Sequence, residues 1–419
     1  MKFQRAAVAQ LTALLREPVR RIIIVTGPRQ IGKTTAVRTA LAHFSRNLVA
    51  TDQPSTSDVQ QLFGSSGFAS RPPGAAADRQ WIQEMWQAAR TPTAGPAILA
   101  IDEIQKVKGW ASTVKGLWDD DRARGIEMHV VLLGSSPSLM RKGMNEALTG
   151  RFEQLDMTHW SMSEMQEAFD ITLDQFIYFG GYPGGHYWFD DDVRWRKNTQ
   201  DAMIAPSIEK DILELTRVDK PALLKRLFAV GSERSGQIVA YDKIRSDLDA
   251  ANTVTLTHYV DLLHQAGLLA GLPNFTGDVL RRRASVPKFN VLNTALMTAQ
   301  SSYSFKEAKA DRTFWGRLVE SAIGAHLLNT CVAPMQLMYW RRGDAEVDFV
   351  IRDGSRLWAV EVKSGMPDGA RRWLDAFQKE YPQAQRIIVC DQIGRNQVDG
   401  VTAISIELAL RLPLREWVL

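Results

Sequence analysis

The residues Gly27-Pro28-Arg29-Gln30-Ile31-Gly32-Lys33-Thr34 match G-x-x-x-x-G-K-[ST] and stand between a β-branched run and a stretch of helical spacing. A loop bounded by glycines lets successive backbone N–H groups curl around an oxyanion, and the helix that follows adds its positive end. Lys33 is expected to reach the β- and γ-phosphates of a nucleotide, with the Thr34 hydroxyl on Mg2+ and Thr35 closing the phosphate-binding set. A carboxylate must hold that metal, and Ile98-Leu99-Ala100-Ile101-Asp102-Glu103 supplies one where an apolar strand runs into acid. Asp102 is the expected metal-side ligand. Glu103 would orient and polarise the attacking water. The next apolar run ends in Gly134-Ser135-Ser136, which puts Ser135 where a γ-phosphate sensor would lie, with an ordinary strand-end turn as the equal alternative. Arg151, after Gly150, is read as a charge-stabilising residue offered to a neighbouring subunit, with Arg141 as the alternative and a surface ion pair as the plainer reading. No Asn-Lys-x-Asp guanine-reading motif follows the acidic pair, so ATP is the expected nucleotide.

A second constellation lies far downstream. Asp348 falls on one predicted strand and Glu361-Val362-Lys363 on the next, giving D…E-x-K, and period-two alternation sets Glu361 and Lys363 on one face. Two carboxylates beside a lysine suit a metal-activated water and a scissile phosphate; Glu320, on the preceding helix, completes the acidic set. The same residues also suit a nuclease-derived scaffold that binds DNA or protein without cutting. Arg281-Arg282-Arg283 offers a phosphate-contacting cluster without strong base readout, with a solvated hairpin as the plainer reading. Tyr182, Tyr187, Trp188 and Trp195 read as core or subunit contacts rather than as base-stacking platforms.

These residues need elements to position them. Arg21–Thr26, Ala97–Ile101 and His129–Leu133 are short apolar runs separated by helical stretches at Thr34–Phe44 and Trp81–Ala89, the pattern of a parallel sheet covered on both faces. The Ser-, Gly- and Pro-rich stretch from Pro54 to Ala76 reads as loop. Three helices follow a linker: Pro221–Val230 after an Asp219 cap, Tyr241–Asp249, and Leu256–Gln265 entered at Thr255. Leu268–Leu272 and Pro287–Leu292 then read as paired strands, with Gly277 and the arginine triplet in their loop, which is a winged-helix layout. Phe314–Leu328 is a predicted helix, Glu346–Ile351 and Leu357–Val362 strands, Arg371–Tyr381 a helix and Arg386–Cys390 a strand, together a small α/β domain. The expected domains are 1–160, a P-loop domain; 161–215, a helical lid or linker; 216–300, the winged helix; and 301–419, the terminal domain.

Composition sets bounds on partners. At 419 residues, with 45% hydrophobic and 23% charged residues, the chain is expected to fold as several domains. A net charge of +4 permits an anionic partner without requiring one. Cys331 and Cys390 cannot build a disulfide framework, and the seven histidines show no ligand spacing. The opening Met1-Lys2-Phe3-Gln4-Arg5 leads into a broken apolar stretch that reads as an amphipathic helix rather than a signal peptide, and no run is long enough to span a bilayer. A cytoplasmic protein with no membrane partner is expected.

Taken together, GPRQIGKTT at Gly27–Thr35, DEIQKVKGW at Asp102–Trp110, LLGSS at Leu132–Ser136 and LTGR at Leu148–Arg151 resemble the AAA+-type ATPases whose carboxy-terminal half is a DUF4143 region. FGGYP at Phe179–Pro183 and VDFVI…WAVEVKSG at Val347–Gly365 extend the resemblance over nearly the whole chain. It implies an α/β AAA+-like P-loop core, a winged-helix region and a terminal domain similar to restriction-endonuclease-like nucleases of the PD-(D/E)XK kind. For function, the expectation is an ATP-hydrolysing motor or switch that remodels or translocates duplex or branched DNA, as a homo-oligomer for which a hexameric ring is one form. An ATP-switched regulatory or protein-remodelling module is the alternative. The sequence departs from mainstream AAA+ proteins, which carry glycine near Gln30, and has Asn293 where the resembled family often carries aspartate.

Overall fold

A computed structural model of the chain describes residues 3–45, 47–51, 67–70, 78–90, 97–134, 140, 143–213, 218–248, 252–276, 286–365, 371–392 and 394–417. Its contacts divide into two compact units, the first Met1–Thr158 and the second running from His159.

In the first unit, β1 (Ile22–Thr26), β4 (Ala97–Ile101) and β5 (Met128–Gly134) are buried along their whole length, as continuous apolar runs in a two-sided parallel sheet must be. With β2 (Asn47–Thr51), β3 (Gly67–Ser70) and β6 (Phe152–Asp156) they form one all-parallel sheet in the order β3-β2-β4-β5-β1-β6. Gly67–Ser70 is therefore an edge strand, where the Ser/Gly/Pro composition around it reads as loop. Pairing with β2, rather than its own propensity, defines it. Strands β2 and β6 were also invisible to periodicity, since Phe-Glu-Gln-Leu-Asp alternates too weakly to be told from a turn. Because every strand points the same way, the segments leaving β1, β4 and β5 emerge at one sheet edge, and β5 separates the other two.

In the second unit, helices Met162–Phe169 and Leu173–Phe179 each open on a complete capping box, Ser161 with Glu164 and Thr172 with Gln175. The glycines after the second helix have a steric reason. Gly180 takes a φ of +70°, and a Cβ there would lie 1.9 Å from Asn293 Oδ1; one on Gly181 would lie 2.2 Å from the Trp160 carbonyl. Asn293 Oδ1 accepts from the N–H of Gly181 and of Ala295, both at 3.1 Å. Its Nδ2 donates to His159 Nδ1 at 3.2 Å, and His159 Nε2 donates to the Gly267 carbonyl at 2.8 Å. At this position asparagine is a buried cross-link that satisfies otherwise orphaned backbone donors.

The three helices are Pro221–Glu233, Tyr241–Leu248 and Thr253–Gln265, followed by β7 (Leu269–Leu272) paired antiparallel with β8 (Lys288–Val291). Two caps differ from expectation. Lys220, not Asp219, precedes the first helix, because Pro221 itself fixes the first turn; Asn252 caps the third, accepting from the Thr255 N–H at 2.8 Å. The third helix buries Leu256, Tyr259, Val260 and Leu263 as its spacing predicts. The arginine triplet and Gly277 lie outside the described residues.

After helix Arg312–Thr330 comes a six-stranded mixed sheet in the order β13-β14-β12-β11-β10-β9. Its strands are β9 (Gln336–Arg342), β10 (Ala345–Asp353), β11 (Arg356–Val362), β12 (Gln385–Cys390), β13 (Arg395–Val398) and β14 (Val401–Ser405). Leu256, Phe289, Leu318 and Phe349 belong to one contiguous apolar core, so the three-helix segment, the β7–β8 pair and the terminal sheet share an interior and form a single unit. Among the described residues no helix is long and apolar enough to cross a membrane.

Candidate nucleotide site and carboxylate centre

At the edge of the first sheet the loop after β1 is built from unusual backbone angles. Gly27 has φ +150° and a Cβ there would meet the Met157 carbonyl at 2.0 Å, while Gly32 has φ +84° just before helix Lys33–Leu41. Only glycine fits the first place without displacing β6. Gln30 also adopts a left-handed φ, +61°, which explains physically why glycine suits this position. Arg5, in the segment leading into helix Ala6–Leu14, donates to the carbonyls of Ile31 and Thr158, both at 3.1 Å, and so ties the loop to the end of β6. Nothing in the motif pointed to Arg5; a buried arginine within reach of a carbonyl-rich loop shows only in three dimensions.

Lys33 is largely buried and its Nζ donates to the carbonyls of Gly27, at 2.9 Å, and Pro28, at 2.7 Å. Thr34 Oγ1 donates to Asp102 Oδ2 at 2.7 Å, and Asp102 Oδ1 accepts from the Glu103 N–H at 2.9 Å. The first motif and the acidic pair are thus brought together as expected. Burial pushes the Asp102 carboxyl above its ordinary range, and Thr34 and Lys33 pull the other way. A hydroxyl facing a carboxylate is the all-oxygen donor pair that Mg2+ takes, so Thr34 and Asp102 fit the metal, which when bound neutralises phosphate charge. Glu103 stands at φ +53°, and its Oε2 accepts from Gln105 Nε2 at 2.8 Å. A left-handed φ at a residue other than glycine is a strained backbone position, here one residue after Asp102.

Arg151 forms a two-pronged pair with Asp119, at 2.8 and 3.1 Å. Ser135 and Arg141 lie outside the described residues.

In the second unit the sequence-predicted carboxylates also converge. Between Val347 and Val350 the β9–β10 register slips, placing Asp348 in a bulge; its Oδ2 accepts from the Val362 N–H at 2.9 Å. Glu361 is buried, and its Oε1 accepts from Lys363 Nζ at 2.7 Å, while its Oε2, also buried, has no hydrogen-bond partner. Sequence reasoning missed the residue at the middle. Lys288 on β8 is 0% exposed, and its Nζ lies 2.6 Å from Glu320 Oε1, 3.3 Å from Asp348 Oδ1 and 3.7 Å from Glu346 Oε1. It also donates to the Asp348 carbonyl at 3.3 Å. A lysine embedded in the apolar run Val286–Leu292 was the available signal, because a charge in such a run must find partners.

Burial acts to lower the Lys288 pKa, but Glu320, Asp348 and Glu346 outweigh it and hold the ammonium charged. Burial, with Asp348 alongside, pushes Glu320 up to about 7 and Glu361 up to about 8. A divalent cation does not fit this centre as it stands, because an ammonium already occupies the middle of the acids. Tyr182 and Trp195 are core residues as expected, whereas Tyr187 is 75% exposed. Its ring lies against those of His186, at 3.9 Å between centroids, and Trp188, at 6.2 Å.

Family models divide the chain into an AAA domain over residues 19–166, a domain of unknown function (DUF8612) over 171–307, and another (DUF4143) over 315–409. An uncharacterised protein of Mycobacterium tuberculosis, Rv2008c, is 25% identical over 86% of this chain and 74% of its own length, as is its counterpart in Mycobacterium bovis. Among solved structures, a variant of Thermotoga maritima RuvB has a TM-score of 0.33 at 17% identity, over 64% of this chain and 86% of that one. The replication initiator DnaA bound to AMPPCP and single-stranded DNA has a TM-score of 0.29 at 12% identity, over 62% and 86% of the two chains. With its phosphate loop, its acidic pair and these domain matches, the chain carries an AAA-type P-loop ATPase domain at residues 19–166 and a DUF4143 domain at residues 315–409.

Proposed function

We propose that this ATPase is a nucleotide-driven motor or switch that acts on DNA, held through the segment between Pro221 and Val291. The observation that supports the reading is the order of that segment, three helices followed by an antiparallel strand pair, with the Arg281–Arg283 triplet falling between the two strands in the sequence. In the nucleotide site, the amides of Gly27–Thr35 would cradle the phosphates, and Lys33 would leave its two carbonyl partners for phosphate oxygen. Thr34 and Asp102 would hold Mg2+. Glu103 would orient water for in-line attack, with Ser135 sensing the γ-phosphate. Arg151 would serve a neighbouring protomer of a homo-oligomer, exchanging Asp119 for developing phosphate charge.

A second reading, regulation or remodelling of protein partners without DNA, is favoured by one feature. The third helix exposes Val254, His258, Asp261 and His264, a face poor in positive charge. The separating experiment measures ATPase rate with and without linear, forked and four-way DNA, using Glu103→Gln as the control. Stimulation by one DNA form, with salt-dependent binding weakened on changing the three arginines to alanine, is the expected result. No binding to duplex, single-stranded or branched DNA at low salt would leave the second reading standing.

A further inference from the structure

We propose that Lys288 is the resident cation of the carboxylate centre, and that the centre accepts a divalent metal ion only when this ammonium is removed. The inference concerns the second unit alone and goes beyond the DNA reading above.

Four oxygen groups converge on one Nζ: the carboxylates of Glu320, Asp348 and Glu346, and the Asp348 carbonyl. These are the hard oxygen donors that Mg2+ or Mn2+ would seek. The ammonium reaches them from a different part of the chain. Lys288 is anchored in the hairpin, its backbone opposite Leu272 in β7 and bridged to Ile238 on the other side. Its Nζ also sits 5.1 Å from the centre of the Phe349 ring, and none of the side chain is exposed. An incoming metal ion would have to displace a fully buried ammonium from its carboxylate partners, leaving that charge without compensation. A surface lysine could swing aside; this one would have to carry β8 with it.

The other side of the centre keeps the character of a cation site. Glu361 Oε2 is buried without a hydrogen-bond partner, and Asp348 is aimed inward by the β10 bulge. Removing the ammonium would therefore leave a set of acids matched to a divalent ion.

The test titrates Mn2+ into the nucleotide-free full-length chain and follows the free-ion signal by electron paramagnetic resonance. The unmodified chain and Asp348→Asn are expected to give superimposable curves. Lys288→Met is expected to gain one Mn2+ bound at least tenfold more tightly than any in the unmodified chain, and Lys288→Met combined with Asp348→Asn to lose it. Circular dichroism establishes folding, and if Lys288→Met does not fold, Lys288→Gln replaces it. Mn2+ binding by the unmodified chain that disappears in Asp348→Asn would overturn the proposal, since the metal would then coexist with Lys288. A folded Lys288 variant with no added Mn2+ would overturn it equally.

Discussion

The two units each set a lysine beside acids at a sheet, and they use it in opposite ways. Lys33 is held by two neutral carbonyls, while the acid nearby is engaged by a hydroxyl. Lys288 is held by three carboxylates and is wholly buried. A cation resting on neutral carbonyls can exchange them for the oxygens of an incoming phosphate. One surrounded by carboxylates is neutralised within the fold, and its removal leaves several like charges facing each other. The same pair of residue types thus makes a ligand site in one unit and an internal brace in the other.

The contrast can be broken by crossing phenotypes. Glu103→Gln should lower hydrolysis by about 10²–10⁴-fold with nucleotide affinity kept, measured by phosphate release and calorimetry. Lys33→Ala should lose about 10²–10³-fold in rate with thermal stability little changed. Lys288→Met should do the reverse, costing about 3–5 kcal/mol in denaturant unfolding of the second unit while the folded fraction hydrolyses ATP normally. If Lys288→Met abolished hydrolysis at full stability, the distinction between available and committed lysines would fail.

A pH series sharpens the same comparison. Glu361, raised to about 8 by burial and Asp348, binds its proton more readily in the folded chain than in the unfolded one, where a glutamate titrates near ~4.3. Its contribution to stability is full below the unfolded value and is lost as pH rises through about 8. Melting temperature should therefore fall between about pH 5 and about pH 9, and Glu361→Gln should flatten that slope. An unchanged slope would mean that Lys363 and Lys288 already hold Glu361 ionised. The smallest effect is expected at the phosphate loop, where Gln30→Gly relieves a left-handed φ and should raise stability by at most about 1 kcal/mol in chemical denaturation.

Much of the first site was readable in order along the chain. Gly27–Thr34 is local, and a strand ending in Asp102-Glu103 announces itself by five apolar residues before two acids. The terminal acids were readable too, since alternation set Glu361 and Lys363 on one face and the helix carrying Glu320 lay just upstream. Strand β3 was not, nor the Asn252 cap, because pairing partners and cap geometry override weak local preferences.

The sequence alone determined where phosphate-binding amides, a catalytic-type acid and a D…E-x-K pattern would lie, because each depends on spacing within one short segment. Only the tertiary structure decided that Lys288 fills the carboxylate centre, that a bulge turns Asp348 inward, and that Asn293 pins the Gly180-Gly181 turn. Those facts join residues from 14 to 112 positions apart. Such contacts arise from the packing of a shared core, and no periodicity along a single strand or helix encodes them.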